Sequence, residues 1–505
     1  MPRSAAIWLA VGAVGFAFAP WYAVQDSIWS PSWISTWQTK DNAPAWLQAI
    51  SFGRAWLWPG AVLLAAAARF LAPARPLSRA NAFIVIGALG FTYSLGQGFV
   101  IGPQGWYFDS LTTLLPPLKT GQFGMGLGAF LVLSAFAMLF ALGLAGRGYF
   151  KGDGFVAGSA VAITALVAVF TFFPVFRILI SAAQDANEAL SLTAFQRRMF
   201  TEKVWGIGCV VGSTRCGVAW NTLILAFSCA IACTGLGLAF ALIWSRTTFR
   251  YKKMLRFLSV LPIITPPFVI GLGLILIFGR SGVINQLVEY AFGLQLGRWI
   301  YGYQGVLLAQ VFAFTPIAFL VLVGVVEGVS PSMEEAAQTL RADRWRVFND
   351  ISLPLMRPGL VNAFLISFIE SIADFGNPIL LGGNFGVLST EVFFSVVGAQ
   401  LDQGRAATLG ILLLAFALVA FFAQRWLLGR KVYTSLAGKG DSGLPTQLPD
   451  RVRRLCYGVA IPWAALTLVI YSMALVGGFV ETWGRDYTLT FKHYTKAFAI
   501  EWTSH

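Results

Sequence analysis

The sequence predicts an all-α polytopic membrane protein with about eleven transmembrane helices. Composition leads there first: 57% of the 505 residues are hydrophobic and 11% are charged, whereas a soluble domain carries about 25% charged residues. The second observation is a set of eleven apolar runs, each near the roughly 20 residues that cross a bilayer. The third is their pattern. They lack the two-residue alternation of a membrane barrel, and a helix satisfies its own backbone where lipid offers no partner.

Five runs fall in the first part of the chain, at 7–24, 55–72, 81–98, 123–145 and 154–182. Six follow, at 219–245, 257–279, 305–328, 358–382, 407–428 and 455–480. The first run ends in Ala17-Phe18-Ala19, which resembles a signal-peptide cleavage site, but Pro20 disfavours cleavage and the run is read as a span. The organisation expected is an N-terminal membrane extension with a lead-in span over 1–182, then an external loop over 183–218. A five-helix core over 219–428 follows and encloses a cytoplasmic loop, 329–357. A cytoplasmic linker, 429–454, leads to a further membrane unit beginning in 455–505.

One alternate set of loops holds 22 basic residues and the other 13. Basic residues favour the cytoplasmic side, which puts the N-terminus inside. The net charge of +14 sits on the inner loops. It is therefore a topology signal, and no nucleic-acid partner is expected.

The chain lacks the usual catalytic sets. Its two histidines are His493 and His505, so neither HExxH chemistry nor a histidine metal site is expected. No GxxxxGK[ST] occurs, so the chain does not itself cradle ATP phosphates. The GxGxxG at 438–443 follows no strand and precedes Pro445 and Pro449, which reads as a linker. No catalytic residue, metal site or cofactor is expected in this chain, and transport is the leading class.

Several residues inside or beside the spans stand out. Cys209 and Cys216 lie on the external side, where either a disulfide or two free thiols fits. Cys229 and Cys233, one turn apart in the sixth span, read as helix packing. Glu370 and Asp374 are four apart, which places them on one face of the ninth span. Carboxylates at membrane depth are costly, so the pair lines a pathway or gate, or is paired structurally with a neighbouring helix. Arg177 reads as a snorkelling cation ahead of an anion contact. Pro262, Pro266 and Pro267 break the seventh span, and kinks of that kind are tolerated beside a cavity or a protein neighbour. That span is expected to line the translocation path.

The loop 329–357 differs from the other inner loops. Ser330 or Ser332 fits a helix N-cap, Pro331 the first turn, and Glu334 and Glu335 the positive helix end. Ala336, Ala337 and Leu340 form a small apolar patch. Trp345, Phe348 and Ile351 recur at three-residue steps on a second helical stretch, and Leu353-Pro354 ends the run. Two short surface helices with a small-residue face outward make a docking knob.

Counted from Glu335, the residues Ala336, Ala337, Ile351, Leu353 and Pro354 resemble the EAA loop of binding-protein-dependent ABC importer permeases. The departure is Arg341, where that loop carries glycine. Glycine tolerates backbone geometry that arginine does not, so this position bears on the turn between the loop helices. The resemblance implies a type I importer permease core in which the loop is a coupling helix inserted into a cytoplasmic ABC ATPase homodimer. ATP and Mg would be bound by that partner, and a periplasmic substrate-binding protein would deliver the cargo. The segments Cys216-Gly217-Val218-Ala219-Trp220-Asn221-Thr222, 261–268 and 373–378 resemble ferric-iron-type permeases, which fuse two permease units.

The function expected is therefore the membrane permease subunit of an ATP-driven importer in a bacterial inner membrane, passing ferric iron. The alternatives are an anionic cargo such as a sugar phosphate or phosphonate, or a secondary transporter without an ATPase. Leu489-Thr490 echoes Leu192-Thr193, so a second permease unit is expected, either beyond 505 or on another chain.

Overall fold

The computed structural model of the protein describes residues 2–24, 32–72, 75–103, 105, 106, 111, 116, 118, 120–185, 190–209, 216–280, 282–294, 297–399, 401–428, 446–482 and 486–499. The GxGxxG at 438–443, most of the linker, and His505 lie outside the described residues. The chain divides into two compact units, Met1–Phe176 and Arg177–His505.

The first unit is built from α1 (Pro2–Ala17), α2 (Trp58–Arg69), α3 (Pro76–Val100), α4 (Leu127–Gly146) and α5 (Gly154–Val167). Its core gathers Phe16, Trp21, Tyr22, Phe83 and Phe136. Arg54 is fully buried there. It donates to Gln48 Oε1 at 2.5 Å and to the Gly121 carbonyl at 3.1 Å, with the Tyr22 ring 4.4 Å away.

The second unit holds α6 (Val218–Arg246), α7 (Lys252–Val260), α8 (Pro267–Phe278), α9 (Tyr303–Glu327), α10 (Pro331–Thr339), α11 (Leu353–Ala373), α12 (Gln403–Leu428) and α13 (Asp450–Gly477). The helices α6, α9 and α11 form its centre. Small residues let them approach. A Cβ on Gly237 of α6 would lie 2.9 Å from the Phe319 nitrogen of α9. Cys229 and Cys233 are fully buried at this contact with their sulfurs 3.7 Å apart. The helix α13 packs on the same core, where Trp463 stacks on Phe312 at 3.9 Å.

The all-α membrane class holds, with two short antiparallel strand pairs added, Ile101–Gly102 with Gly105–Trp106 and Val480–Thr482 with Asp486–Leu489. Among the described residues, nine helices are long and apolar enough to span a membrane. The runs expected at 7–24 and 55–72 are shorter, as Arg3–Ala17 and Ala55–Arg69. Pro20 explains the first, since it biases Ala19 away from helical backbone.

The run at 257–279 is broken at its prolines, as expected: a 3-10 turn at Leu261–Ile263 and the extended Pro266 separate α7 from α8. Two other expectations are corrected. Leu353-Pro354 does not end the loop's second helix. Arg344–Arg346 continues through a π-turn at Val347–Ser352 directly into α11. Proline lacks an N–H and crowds the carbonyl four residues back, and the π-turn just before Leu353-Pro354 accommodates that defect. Finally, Glu370 and Asp374 do not share a helix face. Asp374 is the extended C-cap of α11 (ψ 122°), so the helix stops between them.

Candidate functional site

Two polar clusters stand at opposite ends of α11. The first surrounds the loop helix α10. Ser330 holds the N-cap position without a side-chain cap bond, and Pro331 opens the first turn. At the other end Arg341 adopts φ 62°, the left-handed region. Its N–H donates to the Gln338 carbonyl at 2.9 Å, and the Ala342 N–H donates to the Ala337 carbonyl at 3.1 Å. This is the paired closure of a Schellman turn, whose left-handed residue is usually glycine. Arg341 makes the turn at the cost of backbone strain. Asp343 then caps the next helix, accepting from the Arg346 N–H at 3.2 Å.

Residues three apart on α10 face inward. Glu334 is fully buried and Ala337 nearly so. Arg246, at the last turn of α6, donates through Nη1 to both Glu334 oxygens, at 2.6 and 2.5 Å. The Ser352 hydroxyl donates to Oε1 at 2.6 Å, and the Thr446 N–H donates to Oε2 at 3.0 Å. Arg246 also reaches the Val326 carbonyl near the end of α9, at 3.3 Å. One carboxylate therefore joins α6, α10, the π-turn before α11 and the chain leading into α13. Buried ion pairs are stable only where such additional hydrogen bonds satisfy the remaining lone pairs.

The outward face of α10 is apolar. Met333 and Leu340 are exposed, Leu340 at 85%, and Ala336 lies between them. Glu335 is exposed at the edge of this patch. The expected patch is thus shifted, because Ala337 turns inward and Met333 takes its place. On the second stretch Trp345 is exposed, while Phe348 and Ile351 are half-buried and Val347 is the buried residue. Leu353 and Pro354 begin α11.

The second cluster surrounds the break after α11. Asp374 Oδ1 accepts from the N–H groups of Gly376 and Asn377, at 3.0 and 3.3 Å. Its Oδ2 accepts from Gln310 Nε2 and Asn377 Nδ2, both at 3.0 Å. Ser371 donates to Gln310 Oε1 at 2.6 Å, and Ser389 donates to the Asp374 carbonyl at 2.7 Å. Asp374 is therefore a saturated cap, whereas Glu370 is exposed. The short helix Gly376–Leu381 packs on α8 at Gly271, whose Cβ would lie 3.5 Å from Asn377 Oδ1. Pro262 is buried in the 3-10 turn, and Thr265 bonds the Tyr471 hydroxyl of α13 at 2.6 Å. Pro266 and Pro267 start α8.

The segments singled out in the sequence acquire reasons. Asn221 Nδ2 donates to the Gly386 carbonyl at 2.9 Å, and the Leu388 N–H donates to Thr222 Oγ1 at 2.9 Å, so both pin the loop before Leu388–Val397. Cys209 and Cys216 are joined in a disulfide with Cα atoms 4.9 Å apart. Arg177 is exposed. Among the described residues no group of three or more His, Cys, Asp or Glu side chains is placed to hold a metal ion.

Sequence reasoning missed Arg246, Ser352, Thr446 and Gln310, and it gave Glu334 only a dipole role. The three-residue spacing of Glu334 and Ala337, opposite the Met333–Ala336–Leu340 stripe, was the available signal.

The profile of the family described as binding-protein-dependent transport system inner membrane component matches residues 234–432. The ferric transport system permease protein FbpB of Actinobacillus pleuropneumoniae is 36% identical over 374 residues, 74% of this chain and 53% of that protein. A Haemophilus influenzae homologue of it is 37% identical over 377 residues, 75% of this chain and 58% of its own length. The chain thus spans little more than half the length of these two relatives. The molybdenum transport system permease protein ModB of Escherichia coli K12 is 31% identical over 194 residues, 38% of this chain and 83% of that protein.

Proposed function

This chain belongs to the family of binding-protein-dependent transport system inner membrane components, and we propose that it is the membrane-spanning permease subunit of an ATP-driven importer. It performs no bond chemistry of its own. A separate ABC ATPase homodimer, holding ATP and Mg, docks on α10, and a periplasmic binding protein delivers cargo at the opposite face. A second permease unit completes the pathway. The N-terminus is cytoplasmic, as the basic loops argue.

The observation that carries this reading is the construction of α10. An apolar outward patch suits a protein groove, and the inward Glu334 bonds to residues at three other parts of the bundle. A force on α10 therefore reaches α6, α11 and the chain before α13 without crossing a flexible joint. The helix α11 carries it onward over about 30 Å, given ~1.5 Å rise per residue. At its far end lie the Asp374 cap and the proline-broken α8, which we assign to the pathway together with the exposed Glu370.

Ferric iron is the cargo this reading favours. Similarity to the ferric relatives extends over about three quarters of the chain, against 38% for the molybdenum relative. The test of the coupling role is co-purification from membranes. Wild-type chain brings down a P-loop ATPase, and Leu340→Asp or Glu335→Arg releases it. Retention of the ATPase by both variants would refute docking on α10.

A further inference from the structure

The helix α7 and the turn before it concentrate charge that the loop-helix cluster does not use. Arg250, Lys252, Lys253 and Arg256 fall within seven residues, and none of the four makes an ion pair with a carboxylate among the described residues. Three of them lie over aromatic rings instead: the Arg256 guanidinium is 4.5 Å and the Lys252 ammonium 5.5 Å from the Trp244 ring centre, and the Arg250 guanidinium is 5.7 Å from that of Tyr251. The Trp244 indole donates to Glu327 at 3.1 Å, which fixes the ring at the ends of α6 and α9. This is the end of the bundle where Arg246 holds the loop helix.

The helix has three faces rather than two. At ~100° per residue, Leu255, Leu258 and Ser259 share one side, and they are buried against the core. Lys252, Lys253 and Arg256 share the next. Met254 and Phe257 share the third, with Tyr251 just before the helix, and these three are exposed at 50%, 62% and 58%. Exposed apolar side chains beside an unpaired basic row are poorly matched to water. They match the boundary between acyl chains and anionic headgroups, where aromatic and aliphatic groups enter the apolar layer and ammonium and guanidinium groups meet phosphate. The chain spans a membrane, so that boundary exists at this level of the bundle. After Leu258 the chain turns through Pro262 and Pro266 into the broken helix α8, so whatever holds α7 also fixes the start of α8.

We propose that α7 is a binding surface for anionic phospholipid, with Lys252, Lys253 and Arg256 on headgroup phosphate and Tyr251, Met254 and Phe257 in the acyl boundary. The occupant is lipid rather than protein because the apolar and basic faces adjoin along one short helix already packed on spanning helices.

The test is native mass spectrometry of the full chain purified with its partners, loaded with equal phosphatidylglycerol and phosphatidylcholine. Wild type retains phosphatidylglycerol preferentially. The triple variant Lys252→Gln/Lys253→Gln/Arg256→Gln lowers that preference roughly tenfold, and Lys252→Arg/Lys253→Arg keeps it. Lys253→Gln alone, at an exposed position, gives a smaller loss and guards against misfolding of the triple variant. Salt near 1 M, where the screening length falls to about 3 Å, removes the preference. An unchanged lipid ratio in the triple and single variants overturns the proposal. An unchanged ratio with loss of the ATPase from the complex also overturns it, and assigns the surface to protein docking.

Discussion

Arg341 holds a left-handed backbone where glycine would rest without strain. That conformation costs a non-glycine residue about 1–2 kcal/mol, partly offset by the greater chain entropy glycine loses on folding. Arg341→Gly is therefore expected to stabilise the end of α10 by about 0.5–1 kcal/mol. Hydrogen exchange at the Ala342 amide should slow several-fold, and faster exchange would show that the arginine side chain compensates. The Glu334–Arg246 pair gives a sharper test. Removing one partner of a buried pair costs about 3–5 kcal/mol, while replacing both with apolar groups costs less. Glu334→Gln or Arg246→Met should lower the melting point strongly, and Glu334→Met/Arg246→Met should recover part of the loss. Strict additivity of the two single losses would mean the residues are not coupled. At this scale the sequence disclosed the loop and its turn position. The partners of Glu334 stayed hidden because Arg246, Ser352 and Thr446 lie 88, 18 and 112 positions away in the chain.

Among elements, long apolar runs and the proline break of the seventh were the most legible, and the two ends of α11 the least. The helices α6 and α9 follow the expected runs closely because membrane length fixes them. Pro354 was read as a stop, yet the chain takes a π-turn and keeps its helix. Spacing also placed Glu370 and Asp374 on one face, but the Gln310 amide on α9 and the amides of Gly376 and Asn377 draw Asp374 into a cap. The two carboxylates should therefore behave differently. In Asp374→Asn the new amide group or its partners must leave a donor unmatched, which costs about 1–3 kcal/mol. That variant should lose both melting temperature and uptake. Glu370→Gln, at an exposed site, should keep the melting temperature and lose uptake. Equal melting losses for both would return them to one structural pair.

For the whole molecule, composition alone determined the solvent, and the basic loops suggested which face is inner. The charge excess marks the side on which α10 and α7 lie. The polar connections arise only from folding: a carboxylate on a loop, a guanidinium ending a span and a backbone N–H in the linker meet at one point. The proposed importer depends on α10 presenting its Met333–Ala336–Leu340 face to a partner ATPase while Glu334 and Ala337 stay inside. The most direct measurement is site-specific crosslinking in intact membranes, from cysteines placed at Leu340 and at Ala337 on a background lacking other reactive thiols. Leu340→Cys should give a single strong adduct with a P-loop ATPase, and Ala337→Cys should give little. No ATPase adduct from Leu340→Cys, or equal yields from both positions, would contradict the coupling role of this helix.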